Sequence, residues 1–251
     1  MVRKLGTRKE IFKKGYLVFP LLISLLLAFQ QGTSASDTEE AISVLREAKH
    51  RTDSLEDYTL TLKKQERIDG ALGPVNVVFV KWKRPFSIYL KFLEGNDKGR
   101  EVIFVEGKYR DKMIVSPGGI LGALTIKVAP DSLIAKKNNR HNITEAGMSN
   151  TIGRILTIIE KEQKEPSSDI SVTFFGEKPL EKDMCIHIRI DKSSYAARTE
   201  VYLNSDTLYP HTIISYDEDG ELLESYNYSD IKTNVGLDDS DFDPKNKEYT
   251  F

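Results

Sequence analysis

Short runs of alternating polar and apolar residues recur along most of the chain, and this period of two constrains the fold more than any other feature. Side chains two residues apart lie on the same face of a β-strand, so each run predicts a strand with one apolar face. The runs are 58–62, 77–82, 87–92, 101–106, 112–116, 185–190, 200–203, 212–216 and 222–228. Roughly ten short strands separated by turns predict a large antiparallel sheet or barrel.

Two amphipathic segments predict helices that cover the apolar face of this sheet. The first spans about 38–53, and the second about 144–164. In the second segment Ile152, Ile155, Leu156 and Ile159 recur at helical spacing and form an apolar stripe. A sheet with one apolar face must be covered or must enclose a cavity there. The predicted fold class is therefore mainly β (α+β), with one domain over 36–251.

Residues 1–35 have the organisation of a secretory signal peptide. Six basic residues and one acid are followed by a 14-residue apolar run at 16–29. As a helix this run would span about 21 Å, which is shorter than the roughly 30 Å of a bilayer core. Thr33 and Ala35 supply small residues at −3 and −1, so we expect cleavage after Ala35 and export to the periplasm. The alternative is a retained membrane anchor.

Composition and motif spacing exclude several kinds of site. A single cysteine, Cys185, excludes an internal disulfide, a multi-cysteine zinc site and a cysteine-ligated iron–sulfur cluster. Nucleophile-elbow, P-loop and zincin spacings are absent, and the acidic turn 217–220 lacks the other ligands of a calcium loop. We therefore expect no cofactor, no metal and no catalytic residue. The net charge of −2 argues against a nucleic-acid partner.

The segment 127–145 contains the most distinctive polar residues. Its basic members are Lys127, Lys136, Lys137 and Arg140. The net charge of the whole chain is −2, and residues 1–35 carry +5. The remaining residues therefore carry −7, and a basic run is unusual among them. It either contacts an anionic lipid headgroup or an acidic partner, or is a solvated loop. His141 either anchors the following helix or binds or acts as a general base beside Glu145, so an enzyme centred on His141, Glu145 and Arg140 is a further hypothesis.

The order of several motifs carries a family resemblance. After the first helix come LEDYTL at 55–60, QERIDG at 65–70, KRPFSI at 83–88 and GREVIFVEGK at 99–108, which together resemble the opening of LolA-like proteins, periplasmic lipoprotein carriers and their relatives. PGG at 117–119 with NRHNITEAG at 139–147 is more specific. These two segments resemble an exported bacterial family defined only as a domain of unknown function (family 1571), which belongs with the LolA-like group.

The resemblance implies an incomplete antiparallel barrel of about 10–11 strands, closed by the two helices around an apolar cavity. In the carriers such a cavity holds acyl chains, which need an apolar lining and few polar groups. Strand parity then selects the expected lining residues. These are Val78, Val80, Trp82, Ile88, Leu90, Phe92, Ile103, Val105, Met113 and Val115.

Two functions remain open at this point. The first is a non-catalytic periplasmic protein that binds or carries a lipid, another hydrophobic ligand or a lipid-modified protein in the cavity. The alternative is an envelope sensor or assembly module that binds a protein partner through the 116–143 loop or the sheet edge. Peripheral membrane contact is compatible with both.

Overall fold

The structure is a computed structural model that describes residues 35–118, 124–137 and 139–251. The described residues belong to one compact unit. Apart from Ala35, the predicted signal peptide lies outside them. Within the described ranges, no helix combines the length and the apolar character that crossing a bilayer requires.

Twelve strands in the described residues form one antiparallel sheet. After helix α1 (Ala35–Asp53), the first half of the chain contributes β1 (Asp57–Ile68), β2 (Ala71–Leu72), β3 (Asn76–Lys83), β4 (Ser87–Glu94), β5 (Glu101–Val105), β6 (Met113–Ser116) and β7 (Ile126–Val128). Helices α2 (Leu133–Lys136) and α3 (Met148–Glu162) follow. The second half contributes β8 (Ser171–Leu180), β9 (Asp183–Asp191), β10 (Arg198–Asn204), β11 (Pro210–Tyr216) and β12 (Leu222–Thr233).

The sheet is open rather than closed into a barrel. Its strand order is β7-β6-β5-β4-β3-β1-β12-β11-β10-β9-β8, with β2 paired to β1 off this path. The predicted open antiparallel sheet covered by helices, the architecture that the LolA-like resemblance implies, is confirmed. The part of the chain that the structure describes has twelve strands and three helices instead of 10–11 and two, because β2, β7 and α2 have two, three and four residues and are too short to show a periodicity.

The second predicted helix is divided in the structure. Residues Ile143–Glu145 form a 3₁₀ turn, and α3 begins only at Met148. Ala146 is extended, and Gly147 has φ 111° and ψ 151°, a region that is accessible essentially to glycine alone. The prediction of one helix over 144–164 was therefore wrong at its start, because the spacing of apolar residues does not reveal the backbone conformation of a single residue such as Gly147.

Helices α1 and α3 pack on the concave face of the sheet and supply much of the core. Ala41, Leu45 and Ala48 of α1 and Ile152 and Ile159 of α3 are fully buried. The hydroxyl of Tyr228 on β12 lies 3.5 Å from the Thr151 hydroxyl of α3. The helices thus cover one part of the apolar concave face, and the remaining part faces the segment between β7 and α3.

The convex face of β3–β6 is covered by the C-terminal segment. Phe242 is buried there against Tyr89, Ile103, Val105 and Ile114. Tyr249 stacks on Tyr89 with ring centroids 4.2 Å apart. Strand β5 is therefore buried on both faces.

A substitution at Gly147 tests the positive-φ backbone conformation that precedes α3. A Cβ at this position would lie 3.0 Å from the Tyr58 hydroxyl and 3.1 Å from Trp82 Nε1. We expect Gly147→Ala to lower the free energy of unfolding by about 3 kcal/mol, since steric contact adds to backbone strain.

Gly220 provides the matched control, because it also has positive φ (78°) but faces open space. Gly220→Ala should cost only about 1 kcal/mol. Urea unfolding followed by circular dichroism measures both variants. Equal losses would show that the contacts of Gly147 with Tyr58 and Trp82 contribute nothing.

Candidate ligand cavity

A cavity of about 410 Å³ lies between the concave face of the sheet and the segment 126–148. Apolar side chains from six neighbouring strands, β1 and β3–β7, form most of its wall, and the segment after β7 closes it. The apolar lining consists of Leu60, Leu62, Val78, Val80, Ile88, Leu90, Phe92, Val102, Met113, Val115, Ile126, Val128, Ile134, Ile143 and Met148. Its volume lies within the range of about 300–1,000 Å³ that is typical of ligand pockets.

Seven of the ten residues expected from parity lie on this wall: Val78, Val80, Ile88, Leu90, Phe92, Met113 and Val115. Ile103 and Val105 instead face the C-terminal segment on the convex side. Leu90 pairs with Val102 across β4 and β5, and directly opposed residues share a face, so the odd-numbered residues of β5 must point away. The placement of Ile103 and Val105 in the lining was an error of parity on a strand that is apolar on both faces.

Trp82 has the same parity as the lining residues but is not part of the wall. Its ring stacks on Tyr58 with centroids 5.0 Å apart and planes 12° apart. The Tyr58 hydroxyl accepts a hydrogen bond of 3.0 Å from the Met148 backbone N–H. Trp82 and Tyr58 therefore support the start of α3, and the expectation that Trp82 lines the cavity is corrected.

The predicted basic residues separate into three groups. Lys136 and Lys137 are exposed and line the cavity mouth. Lys127 pairs with Ile114 across β6 and β7, so it lies on the convex face and not at the mouth. Arg140 and His141 are held inside a hydrogen-bonded network, and only His141 lines the cavity.

Glu224 is the centre of that network. Its carboxylate is 2% exposed, and its Oε2 lies 2.8 Å from His141 Nε2 and 3.4 Å from Arg140 Nε. Tyr195 donates a hydrogen bond of 2.6 Å to the same oxygen. Because β12 carries Glu224 while His141 and Arg140 precede α3, these bonds fasten the segment over the cavity to the sheet.

A second buried carboxylate lies directly opposite Glu224. Glu66 of β1 is the cross-strand partner of Glu224, is 6% exposed and lines the cavity. The Tyr226 hydroxyl donates a hydrogen bond to Glu66 and lies 3.3 Å from Glu224 Oε2. Lys64 forms an ion pair of 2.9 Å with Glu66 and donates a hydrogen bond of 2.9 Å to Asn139. One end of an otherwise apolar cavity is thus charged.

The surroundings set the protonation states of this network. Burial, reinforced by the charges of Glu224 and Glu66, raises the pKa of the Tyr226 hydroxyl, so it remains a hydrogen-bond donor. Burial acts to raise the pKa of Glu224, but the hydrogen bond and charge of His141 and the hydrogen bond of Tyr195 outweigh it and hold that pKa below its usual value. Glu224 is therefore a charged acceptor at neutral pH.

The hypothetical catalytic trio comes together only in part. Glu145 Oε2 lies 3.6 Å from His141 Nδ1, beyond hydrogen-bond distance, whereas Glu224 is 2.8 Å from the other ring nitrogen. Among the described residues, no cluster of three or more His, Cys, Asp or Glu side chains is placed to hold a metal ion. Cys185 is buried and free, and burial raises the pKa of its thiol to about 11.

Residues 55–251 match the family described as "Protein of unknown function (DUF1571)". The chain belongs to the DUF1571 family. No curated protein matches it. Membership of this family confirms the more specific of the two resemblances, the one carried by 117–119 and 139–147. The second of these segments contains Asn139, Arg140 and His141, which Lys64 and Glu224 fasten over the cavity.

Solved structures show remote similarity to this DUF1571 chain. The Mycobacterium tuberculosis lipoprotein LppX has a TM-score of 0.48 and 11% identity, covering 80% of this chain and 98% of its own. A LolA superfamily protein from Nitrosomonas europaea has a TM-score of 0.34 and 12% identity, covering 81% and 97%. The Pseudomonas aeruginosa MucA/MucB complex has a TM-score of 0.45 and 14% identity, covering 81% and 60%.

Replacement of Glu224 tests whether the network fastens the segment 139–147. Glu224→Gln removes the buried carboxylate that Arg140 and His141 share, so we expect a loss of about 3 kcal/mol in the free energy of unfolding at pH 7. Because the folded pKa of Glu224 lies below the ordinary 4.5, its contribution is present above pH 4.5 and is lost as the pH falls through the lowered value.

Thermal unfolding from pH 7 to pH 3 measures both effects. The wild type should lose stability more steeply than Glu224→Gln in the acid range. Glu218→Gln, in the exposed turn between β11 and β12, is the control and should follow the wild type. Parallel curves for the wild type and Glu224→Gln would contradict the assignment.

Proposed function

We propose that this protein binds a hydrophobic ligand in the cavity and acts as a non-catalytic carrier or binding protein. The observation that carries the proposal is the apolar wall of a cavity of about 410 Å³. Each methylene transferred from water into such a space contributes about 0.8 kcal/mol. A ligand with an acyl chain therefore gains affinity from the wall alone.

The distribution of charge favours an amphiphile over a pure hydrocarbon. Lys136 and Lys137 stand at the mouth, and Lys64 and Glu66 lie at the wall inside. An anionic headgroup at the two mouth lysines would leave its chain in the apolar part. Lys136 and Lys137 retain the predicted headgroup role in this proposal, whereas Arg140 and His141 serve to position the segment, and Lys127 has no part in it.

We place the protein in the periplasm, on the basis of the signal-peptide pattern of residues 1–35. An exported binding protein meets lipids and lipid-modified proteins at the membranes that border this compartment. The absence of a catalytic role is part of the proposal. It is supported by the network around Glu224, whose polar groups satisfy one another instead of converging on a free position.

The alternative, a module that binds a protein partner through the sheet edge, has one supporting observation. β7 ends the described sheet with three residues, and an extended peptide could add to it as a further strand. This function makes no use of the cavity. Ligand binding is the first choice because it explains why an apolar space remains unfilled.

A matched pair of leucines on β4 tests the cavity. Leu90 lines it, whereas Leu93 is exposed on the other face. We expect Leu90→Trp to displace about two methylenes of a bound chain, or about 1.6 kcal/mol, and so to weaken binding of a dansyl-labelled fatty acid at least about tenfold. Leu93→Trp should bind the probe like the wild type.

Fluorescence titration of the lipid-free protein measures these affinities, and native mass spectrometry after mild purification identifies any ligand that is retained. Failure of the wild type to take up the probe, together with a spectrum containing apo protein only, would reject the proposed function. Equal weakening in both tryptophan variants would place the bound chain outside the cavity.

A further inference from the structure

The two most exposed large apolar side chains among the described residues are neighbours in α2. Leu133 is 87% exposed and Ile134 is 74% exposed. Ile134 also lines the cavity, together with the partly exposed Ile126 of β7. Exposed apolar groups bordered by polar residues mark interaction sites on soluble proteins. The apolar group on α2 and β7 therefore belongs to the mouth of the cavity and not to a remote surface.

Two lysines that have no carboxylate partner among the residues that the structure describes adjoin these side chains. Within the described part of the chain, neither Lys136 nor Lys137 forms an ion pair, whereas the other cations of the cavity wall do. Lys64 pairs with Glu66, Arg100 with Asp97 and Arg154 with Glu145. Apolar tips beside uncompensated ammonium groups match the interface of an anionic bilayer, where the tips enter the acyl region and the lysines stay among the headgroups.

Local hydrogen bonds fix the position of α2. The Ser132 hydroxyl oxygen accepts a hydrogen bond of 3.3 Å from the Ala135 N–H at the start of the helix. The Asn139 side chain donates to the Ala135 carbonyl at 3.0 Å and accepts from Lys64 of β1 at 2.9 Å. Leu133 and Ile134 are therefore presented outward by a helix that is tied to the sheet.

We propose that Ile126, Leu133, Ile134, Lys136 and Lys137 form a rim patch that docks the cavity mouth on an anionic lipid bilayer. The purpose of the contact rests on the proposed function, since docking at the mouth lets an amphiphile pass between bilayer and cavity without crossing water. The small size of the patch favours a bilayer over a protein. A stable protein interface buries about 800 Å² on each side, whereas interfacial insertion needs a few apolar side chains and charge attraction.

Tryptophan fluorescence in the mature chain, residues 36–251 after the expected cleavage, tests the rim patch locally. The chain has one tryptophan, Trp82, which is buried and contributes the same background to every variant. Leu133→Trp is mixed with vesicles of brominated phosphatidylcholine and phosphatidylglycerol, and its emission is compared with that on non-brominated vesicles. We expect bromine quenching for Leu133→Trp. Met184→Trp, at an exposed apolar position of β9, is the control and should show none.

Charge replacements complete the design. Adding Lys136→Gln and Lys137→Gln to Leu133→Trp should raise the lipid concentration for half-maximal quenching by about 30-fold. Adding Lys182→Gln and Lys232→Gln, two exposed lysines outside the cavity lining, should not change it.

Equal quenching of Leu133→Trp and Met184→Trp would overturn the proposal, as would quenching that is unaffected by the loss of Lys136 and Lys137. A shift of Leu133→Trp emission that grows with protein concentration in the absence of lipid would assign the rim patch to a second copy of the chain and would also overturn it. Uptake of the dansyl-labelled fatty acid in lipid-free solution is measured separately. Probe uptake without quenching rejects the rim patch alone, and quenching without probe uptake rejects the proposed function alone.

Discussion

The pairing of β1 with β12 is the interaction on which the rest of the structure depends. It joins the two halves of the chain into one sheet and places Glu66 directly opposite Glu224. It also brings the end of β12 to Asp57 at the start of β1, whose carboxylate accepts hydrogen bonds from the backbone N–H groups of Val235 and Gly236. From there the C-terminal segment runs onto the convex face. The cavity wall, the polar network and the cover of β5 therefore all follow from a single strand pair.

The sequence pattern was sufficient to predict the open antiparallel sheet, but not to assign the cavity-lining face of every strand. Period-two alternation predicts the longer strands, because on β3 and β4 one face is apolar and the other is mixed. On β5 the alternation fails, since Glu101–Val105 is buried on both faces, with Val102 on the cavity wall and Ile103 and Val105 under the C-terminal segment. Parity could not show that Ile103 and Val105 face Phe242, because the cover comes from the far end of the chain. The break at Gly147 was missed for the opposite reason: it depends on one backbone conformation.

The polar end of the cavity lay beyond sequence reasoning because its members are far apart along the chain. Glu66 and Glu224 meet only through strand register, and Tyr195 reaches Glu224 from the turn before β10. One signal was present. Glu66 and Glu224 share strand parity with Leu60, Leu62 and the buried tyrosines of β12, and a charged residue at a core-parity position is costly unless it is paired. Looking for such positions would have found both carboxylates, although not their partners.

Two neighbouring carboxylates in a sheet interior repel each other, so their retention requires compensation from the surroundings. Lys64 supplies it for Glu66, and Arg140 and His141 supply it for Glu224. These compensating groups link β1 to Asn139 and β12 to the segment before α3, which closes the cavity. The groups that offset the repulsion therefore also hold the segment, because the carboxylates can stay buried only while that segment remains in place. An apolar contact of the same size would hold the segment without specifying its position, whereas directed hydrogen bonds to fixed oxygens set the position of the wall and hence the shape of the space left for a ligand.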